Sequence, residues 1–276
     1  MSNPTSAALR RQLAAHLVQI EARPREPPAD PAAGGVFGVA VLDAALVAGG
    51  LHEIHAGSEA DVAALTGFVL AVAHRLAAGR PIVWVRQDFA DGEGGRVHAP
   101  GLAEIGVEPS VVTLVGVRDV AGLLQAGLDA ARCRTIGTVV LELWGETRAL
   151  DLTAGRRLLL AARGSGATVL LARVAPPSER RSPQPSAAET RWRVCAAPSR
   201  PAPANAPGPP AFLVELSRRR GGVADLERCV EWNRDRSRFE ERPAPVGASL
   251  SRPVVSLPAD RSAATEPADE GLRHTG

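Results

Sequence analysis

LHEIHAGSEADVAALTGFVLAVAHRLAAGRP, residues 51–81, decides the fold. Leu51–His55 reads as a strand and leads into a small-residue loop, and from position 61 an apolar helical stretch runs to position 78, where Gly79 closes it. Strand, short loop and long helix are the frame of a phosphate-binding loop. Such a loop works through glycine-permitted backbone N–H groups, a lysine on the β/γ-phosphates and a Ser/Thr hydroxyl on Mg²⁺. Here the lysine position is Val62, the hydroxyl position is Ala63 and the closing glycine is Asp61; the chain contains no lysine at all. A carboxylate at Asp61 suits a helix N-cap and repels a polyphosphate. The pattern predicts a nucleotide-binding frame stripped of its chemistry, and a binding or scaffolding role rather than catalysis.

Outward from this stretch the chain reads as βα units. Residues 81–86 (PIVWVR), 111–116 (VVTLVG), 136–143 (IGTVVLEL) and 167–174 (ATVLLARV) are strand-like, with helices predicted over 118–132 and 150–163. Continuous apolar strands alternating with helices imply a mainly parallel sheet covered on both faces. After position 175 the pattern changes. Residues 189–196 (ETRWRVCA) alternate, 212–217 (FLVELS) precede an Arg-Gly-Gly turn, and a last short element lies near 230–232. These are predicted as antiparallel strands added to one edge.

Four segments follow: an amphipathic helix within 1–22, a Pro-rich linker over 23–35 (RPREPPADP at its start), a core over 36–233, and a disordered tail over 234–276 rich in Pro, Ser, Arg and Glu. Leu9, Leu13, Leu17 and Ile20 recur at helical spacing, so the first helix is either a staple on its own core or a partner-binding helix.

Composition narrows the classes. The 276 residues carry a net charge of +2, which does not announce a nucleic-acid binder. Every basic residue apart from histidine is arginine and tyrosine is absent, a bias expected of a GC-rich genome. The three cysteines, Cys133, Cys195 and Cys229, form no CxxC pair, as expected of reduced thiols in the cytoplasm. No secretion signal is read at the N-terminus, and no apolar run is read as long enough to span a bilayer. A soluble, cytoplasmic protein without membrane contact is expected.

Several residues are candidates for chemistry. His52 and His55 lie three apart on a strand and point to opposite faces, which disfavours a shared metal. Glu142 ends an apolar strand where a Walker-B acid would hold Mg²⁺; without P-loop partners it is expected to hydrogen-bond locally or to order the Trp144 loop. Asp88 follows the second strand, where an ATPase places its water-activating carboxylate. Arg191 and Arg193 flank Trp192, and Arg218, Arg219 and Arg220 cluster. Arginine beside an aromatic residue grips single-stranded nucleic acid, whereas strand alternation instead buries Trp192 and leaves the arginines as a solvated face. No catalytic residue, metal site or cofactor is expected.

Residues 53–80 resemble, without a gap, the P-loop region of RecA recombinases, and TVVLELW resembles their Walker-B strand. GGLHEIHA, APGLAEIGVEP, VVLELWGE, LDLTAGRRLLLAA, SAAETRWRV and FLVELSRRRGG together resemble the ImuA family, RecA-like accessory proteins of bacterial SOS mutagenesis. The resemblance covers residues 34–232. It implies a RecA-like core with a degenerate P-loop and a role in translesion synthesis beside an ImuB-like inactive polymerase and an error-prone C-family DNA polymerase, with RecA a further possible partner. It also implies an N-terminal helix used against a neighbouring protomer or partner, hence self-association through Leu9, Leu13 and Leu17. The alternatives are a cell-division inhibitor of the SulA type and a DNA-dependent ATPase with an atypical nucleotide site.

Overall fold

The computed structural model describes residues 37–243, apart from 39, 146, 175–184, 202–205, 207 and 223. The predicted N-terminal helix with Leu9, Leu13 and Leu17, the linker, and the tail beyond 243 lie outside the described residues. The elements run α1 (Ala40–Asp43), β1 (Leu51–Ala56), α2 (Val62–Ala77), β2 (Ile82–Gln87), α3 (Ala90–Glu93), α4 (Ala99–Ile105), β3 (Val112–Val117), α5 (Val120–Ala131), β4 (Thr138–Trp144), α6 (Leu152–Ser165), β5 (Thr168–Val174), β6 (Thr190–Ala197), β7 (Ala211–Arg219), β8 (Leu226–Asn233) and β9 (Arg238–Arg242). They build one nine-stranded sheet in the order β3-β2-β4-β5-β1-β6-β7-β8-β9. Pairing is parallel from β3 through β6 and antiparallel from β6 through β9.

Two apolar layers sandwich this sheet. On one face α2 packs Leu65, Phe68, Val69 and Val72 against Ile54, Val140, Leu170 and Trp192. On the other, Leu123 of α5 and Leu158 of α6 meet Val83, Val139 and Val169. β1 is buried along its whole length because it lies between β5 and β6 and under helices on both sides. The stretch Glu59–Ala77 is long and apolar enough to cross a membrane by length and composition, which the reading of apolar runs had missed. Its apolarity answers to burial: nine residues of α2, Leu65 and Phe68 among them, are buried in the core. The helix ends as expected, with Ala78 and then Gly79 in left-handed conformations (φ 50° and 76°).

Three expectations need correction. β6 is parallel to β1 and antiparallel only to β7. Its alternating pattern comes from having one uncovered face, not from its direction: Trp192 and Val194 face α2, while Arg193 is exposed. The segment 99–105 forms α4, a helix the sequence reading left out. And the core does not end at 233. The tail assigned to 234–276 begins with a turn and β9, which pairs with β8 from Asn233–Arg238 to Cys229–Arg242. Phe239 of β9 is fully buried, ringed by Phe37, Phe68, Phe212 and Trp232 at centroid distances of 5.4, 5.1, 6.0 and 4.9 Å.

The two sheet edges differ. β9 presents Arg238, Glu240, Glu241 and Arg242, charges that discourage edge-to-edge pairing; β3 presents none and leaves Leu114 47% exposed.

Candidate functional site

Open parallel sheets bind ligands beyond the carboxyl ends of their strands. Here β1, β2 and β4 deliver to that edge the degenerate loop, Arg86 and Glu142. β1 ends at Ala56, and the loop turns directly into the 3₁₀ turn Glu59–Asp61 and then α2. Asp61 holds the N-cap position without capping: its side chain makes no bond to the helix it precedes. The carboxylate instead accepts the backbone N–H of Ala196 at 2.8 Å and the Ser58 hydroxyl at 2.6 Å. The expected helix cap is therefore a tie between loop and β6. Gly57 donates its N–H to the Val194 carbonyl at 2.8 Å, and a Cβ added there would collide with Cys195 Sγ. The loop is pulled onto β6, and a buried carboxylate stands at the mouth of α2, where a phosphate would need positive potential.

Glu142 is fully engaged. Its register partner on β2 is Arg86, and both are buried, 3% and 6% exposed. Glu142 Oε1 accepts from Arg86 Nη2 at 3.0 Å and Trp144 Nε1 at 2.8 Å; Oε2 accepts from Trp84 Nε1 at 2.9 Å. Nη1 of Arg86 donates to Asp91 Oδ1 and to the Gly95 carbonyl, each at 3.0 Å, and Nη2 donates also to the Ala90 carbonyl at 3.2 Å. The guanidinium thus occupies the carboxylate that a Mg²⁺ ion would need, and supplies the charge itself. Trp144 lies over this pair. A Cβ on Gly94 would stand 2.7 Å from its ring, so Gly94 lets the indole close down, and Phe89 meets it edge-on at 6.4 Å. The local hydrogen bonding expected of Glu142 is present; its pairing with Arg86 was not foreseen. Asp88, the candidate base, is exposed beside Gly116.

His52 and His55 do point to opposite faces. The Val47 carbonyl, 2.8 Å from His52 Nε2, can only accept, so Nε2 carries the proton and Nδ1 accepts from the Thr190 hydroxyl at 2.7 Å. Trp192 Nε1 donates to the same hydroxyl at 2.7 Å, which completes a buried chain. Burial lowers the His52 pKa, against the raising effect of Val47 and Glu189.

On the other face, Glu53 lies 2% exposed among His55, Arg191 and Ser186, with Nε of Arg191 at 2.7 Å, the Ser186 hydroxyl at 2.5 Å and His55 Nε2 at 3.5 Å. Burial alone would raise its pKa; His55, Arg191 and Ser186 outweigh it and hold Glu53 at about 2, against 4.5 for a free carboxyl. Burial also lowers His55, helped by Arg173 and Arg191 and opposed by Glu53.

Lowered pKa values mean that unfolding takes up protons, so acid destabilises. The Glu53 contribution, roughly 3 kcal/mol, is complete above pH 4.5 and lost as pH falls towards 2. The histidine contribution is complete above pH 6.5 and declines below it. Denaturant unfolding at pH 7.5, 6, 5 and 4 should show stability falling at each step, with the low-pH slope flattened in Glu53→Gln. A pH-independent midpoint would show that this cluster contributes nothing.

The candidate DNA-contacting arginines are spread over local partners. Arg191 pairs with Glu53 and Arg193 with Glu215, while Arg218, Arg219 and Arg220 donate to the carbonyls of Ser186, Ala44 and Ala187. Trp192 is fully buried, as alternation implied.

A mainly parallel sheet between helices, with antiparallel strands added at one edge and a central strand, loop and helix that carry no lysine, defines a protein with a RecA-like α/β core. The chain is 35% identical over 201 residues, 67% of its own length and 78% of theirs, to Protein ImuA of Caulobacter vibrioides in the strains NA1000 / CB15N and ATCC 19089 / CIP 103742 / CB 15. It belongs to the ImuA family. The crystal structure of the RadB recombinase matches with a TM-score of 0.49 and 18% identity, covering 73% of this chain and 96% of that one. No family model matches the chain.

Proposed function

We propose that this protein is a non-catalytic accessory factor of DNA-damage-induced mutagenesis, acting within a translesion-synthesis complex beside an ImuB-like inactive polymerase and an error-prone C-family DNA polymerase. Membership of the ImuA family supports the process. The non-catalytic part rests on the Arg86–Glu142 pair, which fills the metal position with a guanidinium, together with the absence of any lysine from the chain. Each charge-assisted bond missing from a P-loop is worth roughly 1.5–3 kcal/mol, so losing the lysine and the hydroxyl together lowers nucleotide affinity by a factor of roughly 10²–10⁴.

Calorimetry with ATP and Mg²⁺ should show no binding; a dissociation constant in the low micromolar range would overturn the non-catalytic reading. Deleting the gene should lower damage-induced mutation frequency while leaving division arrest intact. The reverse, normal mutagenesis with loss of arrest, would assign the protein to the division inhibitors instead.

A further inference from the structure

A groove of about 690 Å³ opens beside α2, lined by Ala63, Ala64 and Gly67, by Ile105 of α4, and by Ala196 and Phe212 of β6 and β7. Its lining is mostly small. Ala63 is exposed, and Ala64 and Gly67 are half-buried, on a helix whose other side is buried in the core. Side chains this short leave room for the bulk of another helix. Glu104, exposed, adds one negative charge to the lining.

The chain itself carries a matching segment. Thirty-six residues precede Phe37. Phe37 is fully buried, and two ring contacts, Phe37–Phe68 at 5.9 Å and Phe68–Phe212 at 5.6 Å, connect it to the aromatic wall of the groove. The chain therefore enters the core next to the groove. Upstream, Leu9, Leu13 and Leu17 repeat at helical spacing with Arg10 and Arg11 beside them. The stretch from Ala22 to Val36 spans up to roughly 50 Å when extended, ample for a return to a site this near. A short tether also places the segment at an effective concentration of order millimolar, which favours its own groove over that of a second chain.

We propose that residues 5–21 dock as a helix in this groove of their own chain, with Leu9, Leu13 and Leu17 against the small-residue lining and Arg10, which flanks that stripe, towards Glu104.

A lysine-free chain makes the test clean. Gln12→Lys with Gly101→Lys leaves three amines, counting the α-amino group; Gly101 lines the groove, and a Cβ there meets nothing within 4 Å. A short amine-reactive cross-linker should join positions 12 and 101 within one chain, read by mass spectrometry of the monomer band. Adding Leu9→Ala and Leu13→Ala should cut the yield about ten-fold or more, since both remove apolar area from the contact. Ala63→Arg, at an exposed position that folding tolerates, should do the same from the groove side, with circular dichroism confirming that both variants fold. A cross-link confined to the dimer band would give the groove to a second copy and overturn the proposal. No cross-link, or a yield indifferent to these substitutions, would overturn it equally and leave the groove to another partner or to none.

Discussion

Glu142→Ala should destabilise the protein by about 3–5 kcal/mol, the cost of removing one partner of a buried ion pair. The substitution strands the Arg86 guanidinium, 6% exposed, and the Trp84 indole N–H, 0% exposed, while Trp144 is half-buried and can turn to water. Asp91 still neutralises Arg86 in part, which keeps the loss within that range. At about 2–4 °C per kcal/mol for a core of this size, the melting temperature should fall by roughly 6–20 °C. Replacing both partners by apolar residues, Arg86→Met with Glu142→Leu, should recover most of it, because the pair's own desolvation cost disappears with it. A Glu142→Ala protein that melts like the parent would show that the carboxylate is not the hub of this site, and would reopen the metal position as a site for a cation.

What the sequence disclosed and what it withheld follow from physical differences between elements. β2, β4 and β5 were legible because each is buried on both faces and so reads as a largely apolar run, whereas β1, with His52, Glu53 and His55 among its six residues, was legible from the loop and helix that follow it. The candidate site was half legible. The missing lysine and hydroxyl are visible as residues, but the Arg86–Glu142 pair depends on β2 lying beside β4, and strand order is not written in either strand alone. A cue did exist: PIVWVR and VVLEL each carry one charge of opposite sign near the carboxyl end of an apolar strand, and a buried charge needs a partner. α4 escaped notice because APGLAEI holds a proline and a glycine in seven residues. The role of Asp61 escaped because N-cap residues ordinarily bond their own helix, and here β6 competes for the carboxylate. Asp119 and Asp151, free of such a competitor, cap α5 and α6 with side-chain bonds of 2.7 Å each.

Truncation after Arg234 should abolish cooperative folding, although RDRSRFEER looks from its sequence like the start of a disordered tail. One apolar residue among charges gives β9 no pattern to read, yet Phe239 fills the space between four aromatic rings, one of them Phe37, far away in the sequence. Phe239→Ala alone should cost about 3–5 kcal/mol, as for other large-to-small substitutions in a packed core. Removing the whole strand adds the loss of the β8 ladder and of the Arg242–Glu231 ion pair at 3.0 Å, and it uncovers Trp232. Together these approach the roughly 5–15 kcal/mol by which domains are stable at all. Truncation after Pro243 keeps β9 and should melt within a degree or two of the full chain. Scanning calorimetry of the three proteins should therefore rank the full chain and the 243 truncation together, Phe239→Ala well below them, and the 234 truncation without a transition. If the 234 truncation instead melts like the full chain, β9 adds nothing to the fold and the domain ends at Asn233.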